Sequence, residues 1–350
     1  MSEQTAHNAN FILENLTHTL LYEGYALYPY YRSAIKNQKP IPFGVVYPQQ
    51  YNQYNKHASS SMQTECIIVG DEVHLNIEVR FLHLIEIKLF RSNEGTFEEW
   101  AGFQIGDRFY QPGWQTMERK ITVECNPGAE YGEKKLIPFQ FAGGDDEQLI
   151  YDEDRLVGKK QMMIHPIKGN IIVNASKIYQ PKNAFQISVH INNETGPGNT
   201  NSLTRDEALQ QSFISTHTIL QTTRGKFISH QDVPSAWRDV IEQCNNVNTY
   251  PILVTEDDKT LLSSPVIIYD YPQINPYSQG DLFDSLEIEE ALLLHVNMLS
   301  DEEKCRIAQN DDKLKAMLDK VSSLTPNDLM NFHSYIKPGE NLIKNQTGNI

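Results

Sequence analysis

A chain of 350 residues with 39% hydrophobic content can bury a sizeable core, in one large β-rich domain or in two. Its formal charge of −15 argues against nucleic acid and anionic membrane surfaces as partners, since both need clustered Lys and Arg. No apolar run approaches the roughly 18 residues of a spanning helix, and the first ten residues lack the basic and apolar regions of a secretory signal, so the expectation is a cytoplasmic protein without membrane insertion.

Residues 1–10 are polar and read as a disordered N-terminus. Residues 16–27, rich in Thr, Tyr and Leu, read as a strand. In the polar-aromatic stretch 28–38, Pro29 pushes Tyr28 to extended geometry, which predicts a loop or short turn, and 48–61 reads as a polar loop. Strands resume at 63–69, and Gly70-Asp71 makes a turn. Val73, Leu75, Ile77, Val79 and Phe81 then alternate with polar neighbours, so a strand with one buried face is predicted, running on to Phe90. Weaker strands follow at 120–124 and 136–141. The acidic stretch 143–154 reads as a loop that closes a first β-rich unit, 11–150.

A second β-rich unit, 151–283, contains strands at 171–179 and 184–191, further strands at 213–220 and 226–229, and apolar runs at 251–254 and 266–269. Residues 233–242 read as a helix with Pro234 in its first turn. Helices are predicted near 285–298, 301–309, 312–322 and 326–335, on the start signals Asp284 with Glu287, Ser300 with Glu303, and Thr325 before Pro326. Thus 284–336 is a helical region and 337–350 a flexible tail. The fold class is mainly β (α+β): antiparallel β-sandwich-like units with a C-terminal helical region.

Acidity is uneven. Residues 281–330 hold 12 Asp/Glu against 5 Lys/Arg, either a solvated helical face or a docking surface for a basic partner. Cys66, Cys125, Cys244 and Cys305 lie far apart without metal-ligand spacing, so reduced thiols and no zinc site are expected. No phosphate loop, dinucleotide glycine fingerprint or His-Glu-x-x-His occurs.

Three segments are candidates for chemistry. Residues 23–37 interleave Tyr25, Tyr28, Tyr30 and Tyr31 with Arg32 and Lys36, a mixture that can hold a planar or anionic ligand, or equally cover a sheet edge with tyrosines. Ser215 and His217 are two apart and share a strand face, as a nucleophile and base would, or as a satisfied core histidine would. Asp270 closes an apolar run, where a catalytic or metal-binding acid often sits and where a chain also turns. Downstream, Asp281, Asp284, Glu287, Glu289 and Glu290 lead to His295, without the Glu-x-x-His spacing of di-iron bundles.

Four segments together resemble a bacterial family associated with accessory genes of nickel–iron hydrogenase clusters. They are 23–30 (EGYALYPY) with 33–37 (SAIKN), 60–66 (SSMQTEC), 215–217 (STH), and 263–284, from Ser263-Ser264-Pro265 through Asp270-Tyr271-Pro272 to Gly280–Asp284. The family pattern places arginine directly after Tyr-Pro-Tyr, whereas Tyr31 stands there in this chain and Arg32 follows. The resemblance implies a hydrogenase context and no particular activity.

The leading expectation is a non-catalytic accessory or assembly protein without cofactor, metal or catalytic residues. Its protein partner, in the hydrogenase context a hydrogenase component, would be bound through Tyr28, Tyr30, Arg32, Lys36, Asp270, Asp281 and Asp284, with the first four lining a groove beside the 270–284 stretch. The alternative is a hydrolase or metal-dependent enzyme using Asp270, His217 and the acids of 281–290.

Overall fold

The structure is a computed structural model that describes residues 13–22 and 43–272, except 94, 107, 131 and 197–202. Residues 13–22 are helical (α1). The chain continues through α2 (Gln49–Tyr54), β1 (Ser61–Val69), the 19-residue β2 (Leu75–Asn93), β3 (Thr96–Glu99), β4 (Phe103–Ile105), β5 (Arg108–Tyr110) and β6 (Gly113–Cys125). After α3 (Pro127–Glu130) come β7 (Lys134–Phe141), β8 (Gly144–Asp152), β9 (Arg155–Ile164), β10 (Ile167–Ile178) and β11 (Ala184–Asn193). The remaining elements are α4 (Arg205–Gln210), β12 (Ile214–Thr222), β13 (Lys226–Phe227), a 3-10 turn at Ser235–Trp237 leading into α5 (Arg238–Ile241), β14 (Tyr250–Leu253) and β15 (Thr260–Ser264).

The strands form two main antiparallel sheets, ordered β13-β1-β11-β10-β7 and β14-β15-β12-β2-β9-β8, with β3 and β6 also paired to β2. The long strand β2 is the spine of the second sheet. Its first half pairs with β12 and its second half with β9, while β6 and then β3 line its other edge. Alternation along β2 decides which side is core, because successive side chains point to opposite faces. Val73, Leu75, Ile77, Val79 and Phe81 all lie in one buried cluster, as their spacing predicts. Met62, Cys66 and Ile68 of β1 and Ile187, Val189 and Ile191 of β11 meet them from the facing sheet. Aromatic rings fill the same interior: Phe81 stacks on Phe213 with centroids 4.6 Å apart, and Phe139 lies 5.4 Å from Phe213.

Both sheets are also covered on their outer faces. Leu13, Leu16 and Leu20 of α1 recur at helical spacing and pack on Ile219, Ile252, Leu262 and Ile268. On the other sheet, Trp237 and Ile241 cover Ile67 and Ala184.

The structure departs from the sequence expectations at five places. Residues 16–22 are helical rather than extended, since the Leu13/Leu16/Leu20 stripe finds an apolar face to cover and outweighs the strand preference of Thr and Tyr. The polar stretch 48–61 contains α2. The acidic stretch 143–154 is mostly β8, which is exposed on both faces except at Ile150 and so carries no alternation to read. The last strand among the described residues is β15 at 260–264, buried along its whole length, and 266–269 is not a strand. The division at 150 falls inside β8, and strands from both sides of it pair in both sheets: β1 with β11, and β2 with β9 and β12. The expected helices of 284–336 and the tail lie outside the described residues.

Ile77 is fully buried at the centre of the shared core. Ile77→Ala is expected to lower the unfolding free energy by about 2–5 kcal/mol, measured by chemical denaturation.

Candidate functional site

Residues 215–217 lie in β12, 263–264 end β15, and 60–66 run into β1, whose Thr64 bonds Ser263; the chain on either side of residues 23–42 is tied to the same place. The register of β12 against β2 shifts between Ile214 and His217, and Ser215 sits at φ +52° inside this irregularity. A non-glycine residue in the left-handed region is strained and persists where its surroundings hold it. Here the Ser215 hydroxyl donates to the Leu20 carbonyl at 3.3 Å, and the next amide, Thr216 N–H, donates to the Gly44 carbonyl at 3.0 Å. Leu20 and Gly44, described residues on either side of 23–42, are therefore held by two consecutive residues of β12. Gly44, at φ +60°, lies so close to Pro265 that an added Cβ would stand 2.6 Å from the proline ring.

Thr218 pairs with Ser263, which places His217 beside Ser264 across the strand pair. His217 Nδ1 is 2.7 Å from the Ser215 carbonyl, and because a carbonyl only accepts, this nitrogen carries the proton. Nε2 is then left to accept from the Ser264 hydroxyl at 3.2 Å. Both side chains are fully buried. Burial, partly offset by the bond to the Ser215 carbonyl and aided by the nearby Arg80 charge, pushes the imidazole down to about 4.

On the inner side of the same strands a hydroxyl chain joins the two sheets. Thr64 of β1 donates to the Ser263 hydroxyl at 2.8 Å, and Thr249 lies 2.8 Å from the same oxygen. The Thr218 hydroxyl, opposite Ser263, is buried without a hydrogen-bond partner among the described residues. Such a density of polar groups is costly in a core whose stability rests on apolar burial.

Charge gathers on the outer face of β2. Arg80 is buried and pairs across the ladder with His217. It grips Glu14 of α1 with both terminal nitrogens, at 2.6 and 2.5 Å, and also bonds Glu78, which Lys120 holds in turn. The fork geometry makes this a charge-assisted, two-point clamp between helix and sheet. The Arg80 bond draws the Glu14 carboxyl below its ordinary range. Burial opposes the charge on Arg80, and the bonds from Glu14 and Glu78 outweigh it.

Of the residues expected at a binding site, Tyr28, Tyr30, Arg32, Lys36, Asp281 and Asp284 lie outside the described residues, as does the proposed groove. Asp270 is described, and its surroundings are those of a loop clamp. One carboxylate oxygen accepts from Ser229 Oγ at 2.5 Å, the other from the Leu253 amide at 2.8 Å, and its own N–H donates to Gln231 Oε1 at 3.1 Å. Asp270 and His217 share no hydrogen-bond partner among the described residues. Ser215 supplies a carbonyl to His217, and the hydroxyl beside the imidazole is that of Ser264. Serine at 264 was legible only as part of the Ser263-Ser264-Pro265 turn signal.

A second buried histidine escaped sequence reasoning. His83 continues the inner row of β2 beyond Phe81, and Arg119 Nε is 3.4 Å from its Nδ1. Burial first, and then the Arg119 charge, push it down to about 4. Its Nε2 is buried and has no hydrogen-bond partner within normal distance among the described residues. The alternation that revealed the strand hid this residue, because His83 occupies a position where the pattern asks only for burial.

Among the described residues no group of three or more His, Cys, Asp or Glu is placed to hold a metal ion, and no helix is long and apolar enough to cross a membrane. Cys66, Cys125 and Cys244 are free thiols, and burial raises Cys125 to about 11 and Cys244 to about 12. The chain matches no protein-family model and no curated protein.

The buried histidines set a pH dependence. Above pH 6.5 the imidazoles are neutral folded and unfolded. Between 6.5 and about 4 the unfolded chain takes up protons that the folded one refuses at His83, His217 and His230. The unfolding free energy is therefore expected to fall as pH falls through that window. His217→Gln is expected to remove on the order of 3 kcal/mol of that loss, read from denaturation curves at pH 7 and pH 4.5. Ser215→Val, which puts a β-branched side chain at a left-handed backbone position, is expected to cost about 1–3 kcal/mol more than Ser215→Gly in the same assay.

Proposed function

We propose that this protein is a non-catalytic accessory or assembly factor that binds a protein partner through the tyrosine-rich segment 23–37, in the setting of hydrogenase maturation or assembly that the sequence resemblance implies. The observation that carries the reading is the double tether at β12. Leu20 and Gly44 flank the segment and are held by Ser215 and Thr216 of one strand. A segment rooted on a rigid sheet is the usual arrangement of a binding loop. Tyr28, Tyr30 and Arg32 supply the aromatic and guanidinium groups that dominate protein interfaces, and Lys36 adds a cation beside them in sequence.

A second reading is acyl-transfer chemistry at the Ser264–His217 pair, favoured by the 3.2 Å hydroxyl–imidazole distance and the carbonyl that orients the ring. It ranks second because a general base works best with a pKa near the operating pH, and this imidazole is held at about 4 with no exposed surface.

Two experiments separate these readings. Tagged wild-type protein purified from its native host is expected to carry a hydrogenase component, and Tyr30→Ala with Arg32→Ala to lose it at an unchanged unfolding midpoint. Equal recovery by both removes the support for the segment. A fluorophosphonate probe is expected to leave Ser264 unlabelled; an adduct at Ser264 that disappears in His217→Gln overturns the non-catalytic reading.

A further inference from the structure

The two sheets end differently at their β7 and β8 edges. β7 closes the five-stranded sheet and is guarded in the usual way for an edge, with Lys134 and Lys135 at its start and Pro138, which has no N–H to offer, in its middle. β8 closes the larger sheet. It runs nine residues without a proline and, among the described residues, pairs only with β9. The register shift in that pair, where Ile150 opposes Gly158 and Tyr151 opposes Leu156, places the extra residue, Val157, on β9. β8 itself keeps its period of two, so its outer edge presents a regular row of backbone donors and acceptors.

The side chains along that edge form a pattern. Asp145, Glu147, Leu149 and Tyr151 share one face by alternation. Leu149 and Tyr151 are 48% and 52% exposed, far more than a strand needs to leave open. Next to them Lys159 of β9 bonds Glu147 at 2.7 Å and lies 5.2 Å and 5.0 Å from the ring centres of Phe90 and Phe97. One end of the row is therefore acidic and the other apolar, and the apolar end continues into an aromatic surface.

We propose that the free edge of β8 is a strand-addition site for an extended segment of a partner protein, running antiparallel, with two apolar residues opposite Tyr151 and Leu149 and two Lys or Arg opposite Glu147 and Asp145. In chain order that segment reads apolar-x-apolar-x-basic-x-basic. Backbone hydrogen bonds supply the affinity and the alternate side chains supply the choice of partner. A second copy of β8 is the wrong occupant. Paired about Leu149, it sets Asp145 against Glu153 and Asp146 against Asp152; paired about Asp146, it sets Asp145 against Glu147; paired about Gln148, it sets Leu149 against Glu147 and Tyr151 against Asp145, apolar groups against carboxylates. Like charges directly opposite are destabilising. This site is independent of segment 23–37 and stands or falls separately from it.

The test uses the full chain and a fluorescein-labelled peptide, Thr-Val-Thr-Val-Thr-Lys-Thr-Lys-Thr, followed by anisotropy. Saturable binding is expected, weaker by about tenfold or more when glutamate replaces the lysines, and by a similar factor when alternate peptide amides facing the edge are N-methylated. Asp145→Lys with Glu147→Lys is expected to reverse the preference in favour of the glutamate peptide, with little change in unfolding midpoint since both side chains are exposed. No saturable binding up to about 1 mM overturns the proposal, as does equal binding of the N-methylated peptide, which would reduce the interaction to charge alone. Equal binding of the glutamate peptide also overturns it. The peptide series on the unaltered chain decides the matter even if the doubly substituted protein does not fold.

Discussion

The strict alternation of side chains along β2 is the constraint from which the rest of the structure follows. One strand of 19 residues supplies the inner wall of the core with Leu75, Ile77, Val79 and Phe81, and the outer face with Glu78 and Arg80. A slip of one residue would exchange the two sets and put a salt-bridged arginine into an apolar interior. The outer row then fixes what can cover the sheet. Arg80 is buried, so it requires a carboxylate, and Glu14 brings α1 with it. The apolar stripe of α1 lands on Ile219, Ile252 and Leu262 beside this clamp, so one ion pair and one apolar face position the same helix.

Polar groups concentrate where β12, β15 and β1 approach one another. The Thr64–Ser263 bond links the two sheets through hydroxyls at a level where methyl groups would pack more favourably. A few residues away, a left-handed Ser215 bends the strand so that its carbonyl reaches His217 and its hydroxyl reaches the end of α1. Strain and buried polarity at one point are features that stability alone does not explain. The double tether of the chain at Ser215 and Thr216 is the structural use that the described residues make of them.

Away from that point, the second half of β2 pairs with β9 and β3, and β9 carries β8. Side chains are mostly half-buried or exposed, and cations sit over rings: Arg91 lies 5.0 Å from the Trp100 centroid. The molecule thus has a closed end, where polar groups are locked inside, and a more open end, where aromatic and charged groups face outward on an extended sheet.

Sequence reasoning succeeded where the physical signal is local. The period of two in β2, the pair of strands at β10 and β11, and the largely antiparallel, sandwich-like class all follow from alternation and turn residues read along the chain. It failed where the deciding interaction is distant. Residues 16–22 became helical because an apolar face on β12, β14 and β15 awaited a stripe spaced three and four apart, and nothing in the segment announces that face. β8 was hidden because a strand exposed on both sides has no reason to alternate. The partner of His217 was hidden because Ser264 reaches it across 47 positions of sequence, through the register of β12 on β15. The sequence by itself determined the faces of the strong strands, since a side chain's face depends only on its parity along the strand. Which faces meet, which hydroxyl stands beside the imidazole and which edge stays open were decided by the tertiary structure, because strand pairing joins residues that no local pattern relates.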